Sequence, residues 1–168
     1  MSTRRAARII AWAVMCLCGA GGRVAAQVRT VANLVVGDAV VVVQSSPDKQ
    51  VYVGVGTDTH TSTVTAPATA VDEFVAESEA IVRLGAQPIP AHTIDRPVLQ
   101  EGATGRSLSL SRLVEHHKHG VPVVTYHFYV SDARLTGYVV PATLEETKAV
   151  LLALHRAARA AAPTHKKN

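Results

Sequence analysis

The same succession of strand and helix signals occurs twice along this 168-residue chain. In each half, apolar and β-branched runs separated by turn residues are followed by Pro-Ala-Thr and a helical pattern. The first half spans residues 27–85 and the second spans residues 105–162. Because the apolar face of each element must be buried against another element, two β-β-β-α halves predict an α+β protein. We expect a mostly antiparallel sheet of about six strands with two helices on one side.

A constant offset of 74 residues aligns the two halves, pairing Tyr52 with Tyr126 and Asp58 with Asp132. The pattern fits an internal duplication, or two units that share only turn and cap chemistry. Thr69 with Asp72 and Thr143 with Glu146 also match the capping box, in which a hydroxyl and a carboxylate satisfy free amides at a helix start. Each threonine is therefore predicted to begin a helix.

The faces of one pair of aligned strands are out of phase. Val51, Val53 and Val55 align with polar residues, whereas the apolar alternation of the second half falls on neighbours such as Tyr126 and Phe128. A shift of one residue reverses which face of a strand is apolar. Either the register slips between the halves, or both faces of the sheet are covered. The second alternative would indicate a homodimer.

Residues 1–26 have the pattern of a signal peptide. Basic residues precede a short apolar run, and Val24-Ala25-Ala26 offers small side chains for cleavage. The run is shorter than the roughly 20 residues that span a bilayer, so stable membrane insertion is not expected. We expect export by the Sec or the twin-arginine route, with a mature periplasmic or secreted chain that begins at Gln27.

Charge and cysteine content narrow the function of the mature chain. The whole chain carries 17 basic and 13 acidic residues, but cleavage after Ala26 removes four arginines and leaves the mature chain formally neutral. Nucleic-acid binding therefore has no electrostatic support. Both cysteines, Cys16 and Cys18, lie in the predicted leader. The mature chain is thus predicted to hold no disulfide, thiolate metal site or cysteine nucleophile.

A proline-rich stretch, residues 86–104, joins the halves and is interpreted as a crossover in preference to a binding loop. Residues 163–168 are small and polar and are predicted to be disordered. Near the second half's first turn, His116, His117 and His119 lie close together. They could bind Zn²⁺, Ni²⁺ or Cu²⁺ through imidazoles, but a solvated hairpin end beside Lys118 explains them more simply. We expect any such metal binding to be weak.

A second candidate site is a polar sheet face. Thr125, His127 and Tyr129 would line one side of a strand, and His60 precedes a strand of alternating threonines. Together they would form a surface of hydroxyls and imidazoles suited to a small polar ligand, although such faces are commonly just the solvent side of a sheet.

The sequence favours a non-enzymatic role, because it contains neither a Gly-x-Ser-x-Gly nucleophile elbow nor a phosphate-binding loop. We expect an exported, non-catalytic binding or assembly module that recognises a protein or a small polar ligand. The alternatives are a transition-metal-binding protein that uses its histidine cluster, and a hydrolase whose site has no recognisable pattern.

Overall fold

The computed structural model describes residues 28–85, 87, 96–115, 122–131 and 137–162. The predicted leader, the predicted disordered tail and the cluster of His116, His117 and His119 lie outside these residues. The described part of the first half contains β1 (Arg29–Val36), β2 (Ala39–Ser45), β3 (Gln50–Gly56), β4 (Thr61–Pro67) and α1 (Ala68–Arg83). The second half contains β5 (Val98–Gln100), β6 (Ser107–Glu115), β7 (Val123–Ser131), β8 (Gly137–Ala142) and α2 (Leu144–Ala161).

The protein is α+β, as predicted, but its described strands form two antiparallel sheets of four strands in place of one sheet of about six. The sheet orders are β1-β2-β3-β4 and β5-β6-β7-β8. One additional strand is hidden in the apolar run of residues 32–44, which is divided by a tight turn at Gly37-Asp38. The other, β5, is only three residues long and lies in the predicted crossover. Each half is therefore β-β-β-β-α.

Each sheet turns one apolar face inward. Val43 and Val53 are cross-strand neighbours in the first sheet, and Leu110 and Phe128 are cross-strand neighbours in the second. All four side chains are buried. Alternation with period two is what directs these residues to one side, since successive side chains of a strand point to opposite faces.

The helices lie on the inward side of both sheets, which corrects the prediction of two helices on one side of a single sheet. Helix α1 packs against α2 and against β3, β4 and β5. Helix α2 follows the second sheet along the chain but packs chiefly against β1, β2 and β3 of the first sheet. The buried residues recur at helical spacing, as expected for an amphipathic helix on a core: Val71, Phe74, Val75 and Ile81 in α1, and Val150, Leu151, Leu154 and Ala158 in α2.

The buried residues of β3 and β7 follow the two different phases of the aligned sequence. Val53 pairs with Val64 in the first sheet and Phe128 pairs with Val140 in the second, and these inward residues lie 75 and 76 positions apart along the chain, not 74. The offset of 75 between Val53 and Phe128 differs from the alignment by one residue, so β3 and β7 each turn their own apolar alternation inward, whereas the offset of 76 leaves the faces of β4 and β8 in phase. The phase difference therefore gives no argument for a homodimer.

The two helices begin differently. Thr143 is the N-cap of α2, and it forms the predicted capping box with Glu146. Helix α1 begins at Ala68 after an N-cap at Pro67, without a side-chain cap, so the prediction for Thr69 is wrong. Pro67 is still paired with Gln50 in the β3–β4 ladder, so the chain passes from strand to helix without a loop and Thr69 falls inside the helix.

No helix in the described ranges has the combination of length and apolarity needed to cross a membrane.

Candidate functional site

The polar residues of β7 share the face of the second sheet that points away from the core. Tyr126, Phe128 and Val130 are buried on the inward side, so the alternate residues point outward. We call this side of the second sheet the outer face. Its cross-strand rows are Val98-Ser109-Tyr129-Val139, Ser111-His127-Pro141 and Leu113-Thr125.

Arg96 joins this face from the segment before β5. Its guanidinium carbon lies 3.7 Å from the centroid of the Tyr129 ring, in the geometry of a cation–π contact. The His127 ring lies 6.2 Å from the same ring and is tilted by 58° to it. The three side chains therefore form one cluster on the outer face.

Sequence reasoning missed Arg96 because the residue lies in the stretch interpreted as a crossover. The pairing of Val98 with Ser109 places β5 beside β6, and Ser109 in turn pairs with Tyr129. This pairing brings the segment before β5 to the sheet. An arginine two positions before a three-residue strand carries no sequence signal of its own, so only the topology places it.

The positive charge of Arg96 has no carboxylate partner within the part of the chain that the structure describes. Ion pairs among these residues join Lys148 to Glu145 and His155 to Asp72, and neither pair involves Arg96. Glu101, close in sequence to β5, accepts a hydrogen bond from the Thr104 hydroxyl at the β5–β6 turn. The Arg96 guanidinium thus has an aromatic neighbour but no described carboxylate partner.

The hydroxyl of Thr125, a predicted ligand-binding residue, is buried. Its Oγ1 atom is buried and has no hydrogen-bond partner among the described residues. The hydroxyl is therefore not presented to a ligand at the surface. His127 and Tyr129, which are both half-buried, remain as the accessible predicted residues of this strand.

His60 lies at a different place. Its Nδ1 atom is 2.7 Å from the Thr59 hydroxyl, and its ring stacks on Tyr138 with centroids 5.5 Å apart. Tyr138 pairs with Val130, which puts it on the inward side of β8, opposite to the outer face. The structure therefore groups His127 with Tyr129 but separates His60 from them.

Tyr138 links the two sheets beside His60. Its hydroxyl donates a hydrogen bond of 2.7 Å to the carbonyl of Val55 in β3. Burial raises the pKa of Tyr138 to about 12, although a hydrogen bond from the Ser62 backbone acts in the opposite direction. The phenol is therefore held in its neutral, donating form at ordinary pH.

The Thr59–His60 contact is not arranged like a nucleophile and its base. The two residues are neighbours in one exposed turn, and no carboxylate among the described residues forms an ion pair with His60. A catalytic imidazole needs a third group that orients it. This contact therefore fits a turn that is fixed locally and gives no support for hydrolysis.

The described residues offer neither a metal site nor a cavity of ligand size. Within the described ranges, no three His, Cys, Asp or Glu residues are arranged to hold a metal, while the predicted histidine cluster lies outside those ranges. Between the sheets, a cavity of about 10 Å³ is lined only by apolar side chains, including Val41, Phe128 and Val150. That volume holds roughly one water molecule, so the cavity is a packing defect and not a ligand pocket.

No protein-family model matches the chain, and searches of curated proteins and of solved structures give no match.

Proposed function

We propose that the protein is a non-catalytic binding module that holds a small polar ligand on the outer face. The observation that carries this proposal is the cluster of Arg96, Tyr129 and His127 on one side of the second sheet. A guanidinium, a phenol and an imidazole on adjoining positions supply hydrogen-bond donors and flat contact surfaces in a small area.

The surroundings of the cluster support a binding role. Ser111, which is half-buried, lies on the neighbouring strand beside His127, whereas Ser109, beside Tyr129, is buried. Both helices pack on the inward side of the sheets, so neither covers this face among the described residues. The antiparallel sheet also fixes the backbone positions of Tyr129 and His127, which lowers the ordering cost of binding.

Co-purification tests this function. The protein is isolated under native conditions from the cells that produce it, and the denatured sample is analysed by mass spectrometry for a released small molecule. The variant His127→Glu places a carboxylate beside Tyr129 and is expected to lose that molecule.

Thr63→Glu is the matched control, since Thr63 lies on the outward side of the first sheet, paired with Gly54. It introduces the same charge away from the cluster and is expected to retain the molecule. Absence of a bound small molecule from the parent protein, or its equal loss in both variants, would contradict the proposed function.

We also propose that this module works outside the cytoplasm after removal of residues 1–26. The basic start, short apolar run and small residues before Gln27 support cleavage there. Strand β1 begins at Arg29, directly after the proposed cleavage point, so the mature chain would contain every described element. Mass spectrometry of the natively produced, folded protein is expected to find Gln27, or its pyroglutamate form, at the N-terminus. Finding Met1 or Ser2 there would refute this.

A further inference from the structure

We infer that the ligand of the outer face carries a carboxylate, which Arg96 binds while Tyr129 holds the guanidinium in place. This inference rests on the proposed function and specifies the chemical class of its ligand. The Arg96 Cζ atom lies over the face of the Tyr129 ring, 3.7 Å from its centroid, and Cζ is the centre of the planar guanidinium. Its N–H donors lie at the edge of that plane, where two of them match the two oxygens of a carboxylate.

The absence of a competing acid among the described residues leaves those donors available. No described carboxylate forms an ion pair with Arg96, and Glu101 accepts a hydrogen bond from Thr104 instead. The neighbouring row of the outer face is neutral, because it consists of Gln100, Ser107, Ser131 and Gly137. Glu115 is placed by the register at the far end of β6, opposite Val123.

The spacing of the cluster limits the size of the ligand. The Arg96 Cζ atom and the His127 ring lie 3.7 Å and 6.2 Å from the Tyr129 ring centroid, so they are at most about 10 Å apart. A small molecule with a carboxylate at one end and hydroxyl groups at the other can reach both. Arg96 brings one permanent positive charge to the cluster, which matches the single negative charge of a carboxylate.

Matched probes test the carboxylate directly. Amide chemical shifts of the ¹⁵N-labelled mature protein are followed while sodium glucuronate is added, and in parallel while glucuronamide, its uncharged counterpart, is added. Glucuronate is expected to shift residues of β6, β7 and β8 on the outer face with an affinity about tenfold higher than that of the amide, since a charge-assisted hydrogen bond is lost in the latter.

Variants assign the effect to Arg96. Arg96→Gln is expected to remove the preference for glucuronate, and Arg96→Lys to retain part of it, because an ammonium keeps the charge but not the planar pair of donors. Arg156→Gln removes the same charge from the exposed side of α2 and is expected to bind as the parent does. Retention of the full preference in Arg96→Gln, with the parental fold verified by its spectrum, would overturn the inference.

The two proposals can fail separately. Equal shifts of the outer face by glucuronate and glucuronamide would overturn the carboxylate inference and leave the binding function standing. Absence of shifts on the outer face with both probes would also overturn the inference. The binding function itself is decided by the co-purified molecule and its loss in His127→Glu.

Discussion

Gly37 stands at a point where backbone conformation and close packing both demand glycine. Its φ is +54°, and a Cβ atom built on it would lie 2.5 Å from the carbonyl oxygen of Pro141. The first requirement alone costs a non-glycine residue roughly 1–2 kcal/mol. The second cannot be relieved by a rotamer change, because the obstructing atom belongs to the backbone.

We therefore expect Gly37→Ala to lower the free energy of unfolding by more than about 2 kcal/mol. Gly105→Ala is the control, because Gly105 also has a positive φ, of +72°, but a Cβ atom added there would meet nothing within 4 Å among the described residues. Urea denaturation of both variants measures the difference. Equal losses would show that the contact with Pro141 has no energetic weight.

Glu146 makes the complementary contact from the other side of this junction. Its Oε1 atom accepts a hydrogen bond of 3.1 Å from the Gly37 amide, and its Oε2 atom accepts one of 2.7 Å from the Thr143 amide. These bonds, those of Thr143 first, hold the pKa of Glu146 below its usual range. One carboxylate thus joins the β1–β2 turn of the first half to the helix start of the second.

Glu146→Gln is expected to cost about 1 kcal/mol at neutral pH, because charge-assisted bonds become neutral ones. A carboxylate with a lowered folded pKa stabilises above its unfolded pKa, near 4.3, and this stabilisation disappears as the pH falls through the folded value. Denaturation midpoints of parent and variant should therefore converge in acid. Glu145→Gln, which affects only an exposed pair with Lys148, should change little at either pH.

Arg112 is a buried cation that was not predicted, although its position in β6 indicates that its side chain points inward. It lies in phase with Leu108 and Leu110, and the structure places it inward with 2% of its surface exposed. Its guanidinium donates to the carbonyls of Gly85 and Gln87 just beyond the end of α1. Carbonyls and the negative end of the helix dipole replace water as its neighbours.

At the scale of the elements, the helix starts provide a direct comparison. Thr143→Ala removes the side-chain acceptor at 3.2 Å from the Glu146 amide and is expected to destabilise by about 1 kcal/mol. Thr69→Ala is expected to be neutral or slightly stabilising, because Thr69 lies exposed inside α1 and alanine is the better helix former. Thermal unfolding of both variants checks this, and equal losses would mean that Thr69 does act as a cap.

Element type was predictable wherever a period was clear, as in both helices and in β3, β4, β6, β7 and β8. The β1–β2 boundary was not recognised, because Val36 and Ala39 continue the apolar run across Gly37-Asp38. The shared face of His127 and Tyr129 follows from strand alternation. Arg96 and the contact of His60 with Tyr138 depend on how the segments are brought together, which the local pattern does not encode.

At the scale of the whole molecule, Tyr138 is a polar link between the two sheets. Tyr138→Phe keeps the ring that stacks on His60 but removes the hydrogen bond to Val55. We expect a loss of about 1 kcal/mol in the free energy of unfolding.

The alkaline behaviour of the same variant gives a second readout. With its pKa raised to about 12, Tyr138 favours the folded state below its unfolded value near 10, and this contribution is lost as the pH rises through 12. The parent protein should therefore lose more stability than Tyr138→Phe over that interval. Tyrosinate absorbance at each pH follows the ionisation, and identical alkaline profiles would show that Tyr138 is not held neutral by the fold.

The packing of α2 on the first sheet has a consequence for biosynthesis. A ribosome releases β1, β2 and β3 well before residues 144–161, so the inner valines of the first sheet are synthesised long before the helix that packs on them. Contacts of such long sequence separation form slowly. The packing of α2 on this sheet therefore forms only after residues 144–161 have been released, and in the interval a chaperone would encounter apolar residues of the first sheet that α2 does not yet cover.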